Sequence, residues 1–271
     1  MPMTEDAWLE DVRAGRANDA IDCLRQELRD SRLYPSNYYS LGALYMWSGD
    51  YQSAHRHFDK QIRDALPSNM PGDAEFGMAG AAAWCLGDEK RAVEYWRTGA
   101  TVHFAVGGAN TRTELLLYAA SVLKPGSFSA ESAEKLLSKK ASHWRVKNWP
   151  GPIAQYILGT ASDQEVREEA LRTHRDPVQP NPNSWQFEFY RLLKTAAPSG
   201  TATHTLKSEL HNLLNVDGSD YIAGIKLFYF LRVEEFYLAR HWISGQLKYP
   251  DYTHQLLDSR RLAFFLSSRS H

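Results

Sequence analysis

Two histidines and a pair of glutamates have residue types and spacing that could support metal binding or acid–base catalysis. His204 and His211 are seven residues apart and would share one face of a helix, but no acidic residue lies in register to complete a ligand set. Glu234 and Glu235 are adjacent carboxyl groups of the kind that transfer protons in catalysis. We interpret the histidines as surface or capping residues and the glutamates as a solvated helix start.

The longer signatures of enzymes are absent from the sequence. It contains no Gly-rich phosphate loop ending in Gly-Lys-Ser or Gly-Lys-Thr and no spaced dinucleotide fingerprint. It also contains no His-Glu-x-x-His, no Cys-x-x-Cys and no Gly-x-Ser-x-Gly elbow. The sequence therefore predicts a non-catalytic protein that holds neither a cofactor nor a metal ion.

Composition and charge narrow the class of partner. Hydrophobic residues make up 43% and charged residues 23% of the 271 positions, which is typical of a folded protein with a substantial core. The net charge of -1 argues against nucleic acid as a partner. No secretion signal opens the sequence, and no apolar run approaches the roughly 20 residues of a membrane span. We expect a cytoplasmic protein without membrane contact, with Cys23 and Cys85 as buried thiols.

A repeat of small and aromatic residues predicts pairs of packed helices in the first 100 residues. In one copy, Gly42 and Ala54 are small enough for two helices to approach closely, and Phe58 fills the space beside them. Gly49 is the residue expected in the left-handed conformation where the first helix ends. A shift of 38 residues reproduces the set, and a partial copy lies 34 residues upstream: Gly80, Gly87, Ala92 and Trp96, and Gly15, Ala20 and Leu24.

This spacing resembles the tetratricopeptide-repeat (TPR) family over about residues 5–100. The resemblance implies an all-α solenoid of antiparallel helix pairs. Beyond residue 100 the helical signals continue, with predicted capping boxes at Thr111 and Glu114 and at Ser162 and Glu165. Further helices are predicted at about 184–195, 205–214, 220–230, 234–247 and 252–266. We therefore predict one domain over residues 1–271, with clear repeats at about 5–100 and degenerate repeats at about 111–267.

The TPR resemblance also implies a binding groove, which the first helix of each pair lines in that family. Carried over position by position, the groove residues are mostly apolar or aromatic: Tyr39, Ala43, Met46, Trp47, Gly77, Ala81, Trp84 and Cys85. The Lys and Asn residues with which chaperone-tail binders hold a terminal carboxylate are missing at these positions. We predict that Tyr39, Met46, Trp47 and Trp84 contact a partner, with Arg112 at the rim. The alternative is that the two tryptophans belong to the core.

The resemblance and the missing catalytic signatures together predict a TPR-like module for protein–protein interaction. The favoured forms are an adaptor or a bacterial immunity protein that neutralises a toxin domain, by analogy of fold type. One alternative is a regulator that senses a peptide. Another is an enzyme with a divergent active site in the C-terminal half, either around Trp149 to Gly159 or where aromatic residues are dense: Phe228, Tyr229, Phe230, Phe236 and Tyr237.

Overall fold

Twelve α-helices and no β-strand make up the part of the chain that the computed structural model describes. That part comprises residues 8, 11–12, 14–30, 35–64, 72–101, 111–141, 147–173, 181–197, 204–216 and 233–247. The helices are α1 (Ala17–Asp30), α2 (Pro35–Ser48), α3 (Tyr51–Asp64), α4 (Asp73–Cys85), α5 (Glu89–Gly99), α6 (Arg112–Leu123), α7 (Ala130–Ala141), α8 (Gly151–Ile157), α9 (Asp163–Thr173), α10 (Pro182–Ala196), α11 (His204–Val216) and α12 (Glu234–Leu247). The prediction of an all-α protein is confirmed for these residues.

Five glycines with positive φ mark turns, and each turn leads into a helix that buries two residues four positions apart. The φ angles are 76°, 81°, 79°, 95° and 75° at Gly15, Gly49, Gly87, Gly126 and Gly159. The buried pairs lie on α1, α3, α5, α7 and α9: Ala20 and Leu24, Ala54 and Phe58, Ala92 and Trp96, Ala133 and Leu137, and Val166 and Ala170. A positive-φ glycine followed by such a buried pair therefore recurs as far as residue 170, well past the clear sequence pattern.

The close approach predicted within the helix pairs is present. A Cβ atom on Gly42 would lie 2.7 Å from Phe58 Cε2, and one on Gly80 would lie 2.6 Å from Trp96 Cδ1. The indole Nε1 of Trp96 also donates a hydrogen bond of 3.1 Å to the carbonyl oxygen of Gly77. Large side chains on the second helices therefore press against bare backbone of the first helices, where a methyl group would not fit.

Most consecutive helices pack on one another, and the first helices of three pairs form a second set of contacts. The helices α2, α4 and α6 touch in succession, although α3 and α5 separate them in the chain. The last described helix, α12, packs against α4 and α6 and also against α10 and α11. Residues from the first and last described helices thus share one hydrophobic core.

Of the two predicted capping boxes, one is confirmed and one is wrong. The backbone N–H of Ser162 donates to Glu165 Oε2 at 2.7 Å, and the backbone N–H of Glu165 donates to Ser162 Oγ at 3.3 Å. Thr111 precedes α6 but makes no side-chain capping hydrogen bond, and the buried Glu114 side chain accepts a hydrogen bond from Thr113 Oγ1. Glu114 is thus part of the core and takes no part in capping α6.

The predicted helices of the C-terminal half can be compared where they fall in the described ranges. Those at about 184–195, 205–214 and 234–247 correspond to α10, α11 and α12. The predicted helices at about 220–230 and 252–266 lie outside the described residues. None of the helices described here is long and apolar enough to cross a membrane.

Candidate functional site

The aromatic and apolar residues predicted to contact a partner are buried. Tyr39, Met46 and Trp47 lie on α2 and are 8%, 0% and 6% exposed, and Trp84 on α4 is 2% exposed. Arg112, the first residue of α6, is partly exposed. A partner has no access to the four buried side chains in this conformation of the chain.

The predicted groove positions are covered in part by α12. The ring of Phe236 stacks on that of Trp47 with 5.9 Å between the ring centroids. The thiol of Cys85 donates to the carbonyl oxygen of Tyr237 at 3.6 Å. A Cβ atom on Gly77 would lie 2.6 Å from Glu234 Oε1, so the bare backbone of α4 makes room for this carboxylate. Three of the predicted groove positions, on α2 and α4, thus contact one helix of the same chain.

Further contacts hold α12 from other helices. Trp242 Nε1 donates a hydrogen bond of 2.8 Å to the carbonyl oxygen of Leu123 at the end of α6. The ring of Phe236 also lies 5.9 Å from that of Trp185 on α10, so it sits beside two tryptophans. These contacts come from α2, α6 and α10 and fix both the position and the rotation of α12.

An ion pair anchors the beginning of α12. Arg112 Nη1 donates to Glu234 Oε1 at 3.0 Å, and Glu234 is only 1% exposed. Burial raises the pKa of Glu234, while the nearby Arg112 guanidinium opposes that rise. Glu235 is fully buried as well. The prediction of a solvated helix start is wrong, because the beginning of α12 is inserted among α4, α6 and α10.

Glu235 accepts hydrogen bonds from two residues of α10. Gln186 Nε2 donates to Glu235 Oε1 at 2.7 Å, and the hydroxyl of Tyr190 donates to the same oxygen at 2.9 Å. Trp149 Nε1 in turn donates to Gln186 Oε1 at 2.7 Å. The other carboxylate oxygen, Oε2, has no hydrogen-bond partner among the residues described. A chain of polar contacts therefore connects the start of α8 with α10 and α12.

A third buried carboxyl group, Glu114, lies on α6 two residues after Arg112. Glu114 is fully buried, accepts from Thr113 Oγ1 at 3.2 Å and lies 3.7 Å from Lys140 Nζ. Burial raises the pKa of Glu114 to about 7, and Lys140 opposes the rise. Burial likewise raises the pKa of Asp73, and Arg112 opposes it. Asp73, Glu114 and Glu234 are the first or third residues of their helices.

The arrangement of these groups can bind a helix through charge and aromatic stacking. Arginine stays protonated, so Arg112 requires a carboxylate partner wherever water is excluded. Tryptophan rings favour a flat aromatic or apolar side chain. Within the described ranges, no group of three His, Cys, Asp or Glu side chains is placed to hold a metal ion. The prediction of buried thiols is confirmed for Cys85 and wrong for Cys23, which is only half-buried.

Sequence reasoning selected Arg112 and the two tryptophans but missed the acidic partners. Glu234, Glu235 and Arg240 interrupt a segment whose other residues are mainly apolar, and all three are buried. Charged residues within an apolar helix are a signal of a buried polar network, because a solvated helix would place its charges on one face. Comparison with protein-family models, curated proteins and solved structures finds no match to this chain.

Proposed function

We propose that this chain is a non-catalytic, TPR-like helical solenoid that binds a protein partner. The observation that carries the proposal is the packing of α12 against α4 and α6 and against Trp47 of α2. These three helices hold α12 through an aromatic stack on Trp47, a thiol hydrogen bond from Cys85 and an ion pair with Arg112. Tryptophan and arginine are also the residues that most often anchor protein interfaces.

The repeated turns and helix contacts support the solenoid part of the proposal. Each of the five positive-φ glycines precedes a helix with two buried residues four positions apart. The first helices α2, α4 and α6 contact one another, as neighbouring units of a stacked array must do. A row of such helices presents one continuous face, which is the surface that repeat proteins use for binding.

A toxin domain or an adaptor's client protein is the partner class we propose. Covering the surface of another protein requires a folded face and no catalytic group, so an immunity role fits a protein that works by binding alone. On this basis the favoured role is a toxin-neutralising immunity protein, and the other is an adaptor.

Capture of the partner tests the proposed function. The tagged full-length chain is incubated at low salt with lysate of the organism that encodes it, and bound proteins are identified by mass spectrometry. We expect one protein in stoichiometric amount, and we expect co-expression to restore growth if that protein is a toxin. A chain that elutes alone, together with turnover in a hydrolase screen that is lost in Glu234→Gln, would contradict the proposal and favour an enzyme.

A further inference from the structure

The surface of α2, α4, α6 and α10 that contacts α12, which we call the seat of α12, has a polar end and an aromatic end. At the polar end Arg112 pairs with Glu234, and Gly77 leaves the space that this carboxylate fills. At the aromatic end Trp47 and Trp185 both lie 5.9 Å from the ring of Phe236. The seat thus selects a helix that begins with a carboxylate and carries an aromatic ring two residues later.

The charges of α12 make it a poor permanent core element. Glu234, Glu235 and Arg240 are all buried, with exposed fractions of 1%, 0% and 5%. Removing a charge from water carries a penalty that pairing, such as that of Glu234 with Arg112, offsets only in part. Glu235 Oε2 adds to this penalty, since no described residue donates a hydrogen bond to it.

Another interior helix, α4, shows the contrast. It buries one charged residue, Asp73 at its start, against three on α12, and its middle turns bury uncharged residues: Met78, Ala79, Ala81, Ala82 and Ala83. The contacts around α12 instead combine aromatic rings, hydrogen bonds and an ion pair, as the interfaces between separate proteins do. An incoming helix that matches the seat equally well, with fewer buried charges, would bind it more tightly than α12 does.

We propose that the seat formed by α2, α4, α6 and α10 is the docking site for an amphipathic helix of the partner protein, and that α12 fills this site in the free chain as an internal competitor. The partner helix carries an acidic residue that pairs with Arg112 and, two positions later, an aromatic residue that packs between Trp47 and Trp185. This inference rests on the proposed function, and it specifies the chemistry of the partner.

A peptide with the sequence of residues 233–247 is the direct probe. It is labelled with a fluorophore and titrated into the full-length wild type and into Phe236→Ala, whose own α12 loses the aromatic ring while the peptide keeps it. A tethered helix competes at an effective concentration in the millimolar range, so the wild type binds the peptide weakly. We expect Phe236→Ala to bind it at least about tenfold more tightly, because more of its sites are vacant.

A charge exchange tests the role of Arg112 separately from its contribution to folding. The native peptide is compared with a peptide that carries E234K, on wild type and on Arg112→Glu. Wild type should prefer the native peptide by at least about tenfold, and R112E should reverse that preference. The matched control is Arg97→Glu, the same change at an exposed position of α5, and it should behave as wild type does. Circular dichroism and thermal melting confirm that each variant is folded.

Several results would overturn the inference. No saturable binding to Phe236→Ala, binding of a scrambled peptide with equal affinity, or the same peptide preference in R112E and wild type would each do so. Dimers of Phe236→Ala that exchange α12 and exclude the peptide would show that the occupant is a second copy. If neither variant folds, the wild type alone tests the inference: equal affinity for the native and the E234K peptide would contradict it. If a captured partner binds R112E as tightly as wild type, the proposed docking site is wrong, but the proposed function is still supported.

Discussion

Glu114 should make the stability of the protein fall as the pH rises through the neutral range. Its carboxyl group is fully buried on α6, lies 3.7 Å from Lys140 Nζ and accepts a hydrogen bond of 3.2 Å from Thr113 Oγ1. Burial raises its pKa from 4.5 to about 7. The negative charge of Asp73 adds to the rise of its pKa. The folded state therefore holds this proton more tightly than the unfolded state, so the stabilisation is complete below about pH 4.5 and is lost as the pH rises to about 7.

The variant Glu114→Gln isolates this effect, because it mimics the protonated acid at every pH. A shift from 4.5 to about 7, at 1.36 kcal/mol per pKa unit, corresponds to about 3 kcal/mol. The free energy of unfolding of E114Q minus that of wild type should therefore increase by about 3 kcal/mol between pH 4.5 and pH 8.

The assay is urea unfolding followed by tryptophan fluorescence, with equal m-values required of both proteins. His57 and His241, whose pKa values are lowered by burial, affect both proteins alike and cancel in the difference. The control Glu131→Gln changes an exposed residue of α7, and its difference from wild type should vary by less than about 0.5 kcal/mol over the same range. A difference for E114Q that stays constant with pH would refute the reasoning, since it would mean that Lys140 keeps Glu114 ionised at its ordinary pKa.

Three further predictions concern packing, thiol protection and capping. Gly80→Ala should destabilise the protein by about 1–3 kcal/mol in urea unfolding, because the added methyl group meets the Trp96 ring. The same substitution should cost clearly less in a Trp96→Leu background, and strictly additive effects of the two substitutions would contradict that contact. In Cys23→Ser the remaining thiol is Cys85, which is buried under α12. It should therefore react with a thiol reagent at least about a hundredfold more slowly in the native than in the urea-unfolded chain. Fast labelling of the native chain would show that α12 does not cover it. Ser162→Ala should cost about 1 kcal/mol in thermal or urea unfolding by removing the cap of α9, whereas an unchanged midpoint would mean that the cap contributes no stability.

The local parts of the fold could be predicted from sequence, and the contacts over long sequence separations could not. The pairing of Gly42 with Phe58 and of Gly80 with Trp96 follows from spacing within one helix pair, and the structure contains both contacts. The recurrence of a turn glycine and a buried pair is hard to see in the sequence after residue 100. The first buried residue follows the glycine by seven positions at Gly126 and Gly159, against five positions in the earlier copies. That two-residue difference conceals the pattern while leaving the buried pair intact.

Only one side of the candidate site could be predicted from the sequence. The TPR resemblance selected the side of α2 and α4 that contacts α12, including Trp47, and it placed Arg112 near this side. The carboxylate that pairs with Arg112 lies 122 residues further along the chain, and no local pattern connects the two. The choice between core and interface for Trp47 depended on what packs against it, and the structure places Phe236 there.

Hydrogen–deuterium exchange of α12 tests the central claim most directly, namely that its seat is a docking site for another helix. The full-length chain is compared with and without an excess of the 233–247 peptide, which is labelled with heavy isotopes so that its fragments are distinct in the mass spectrometer. We predict slow exchange of residues 234–247 in the free chain and much faster exchange of the same residues when the peptide is bound. Unchanged slow exchange of α12 at a peptide concentration that saturates binding would contradict the claim.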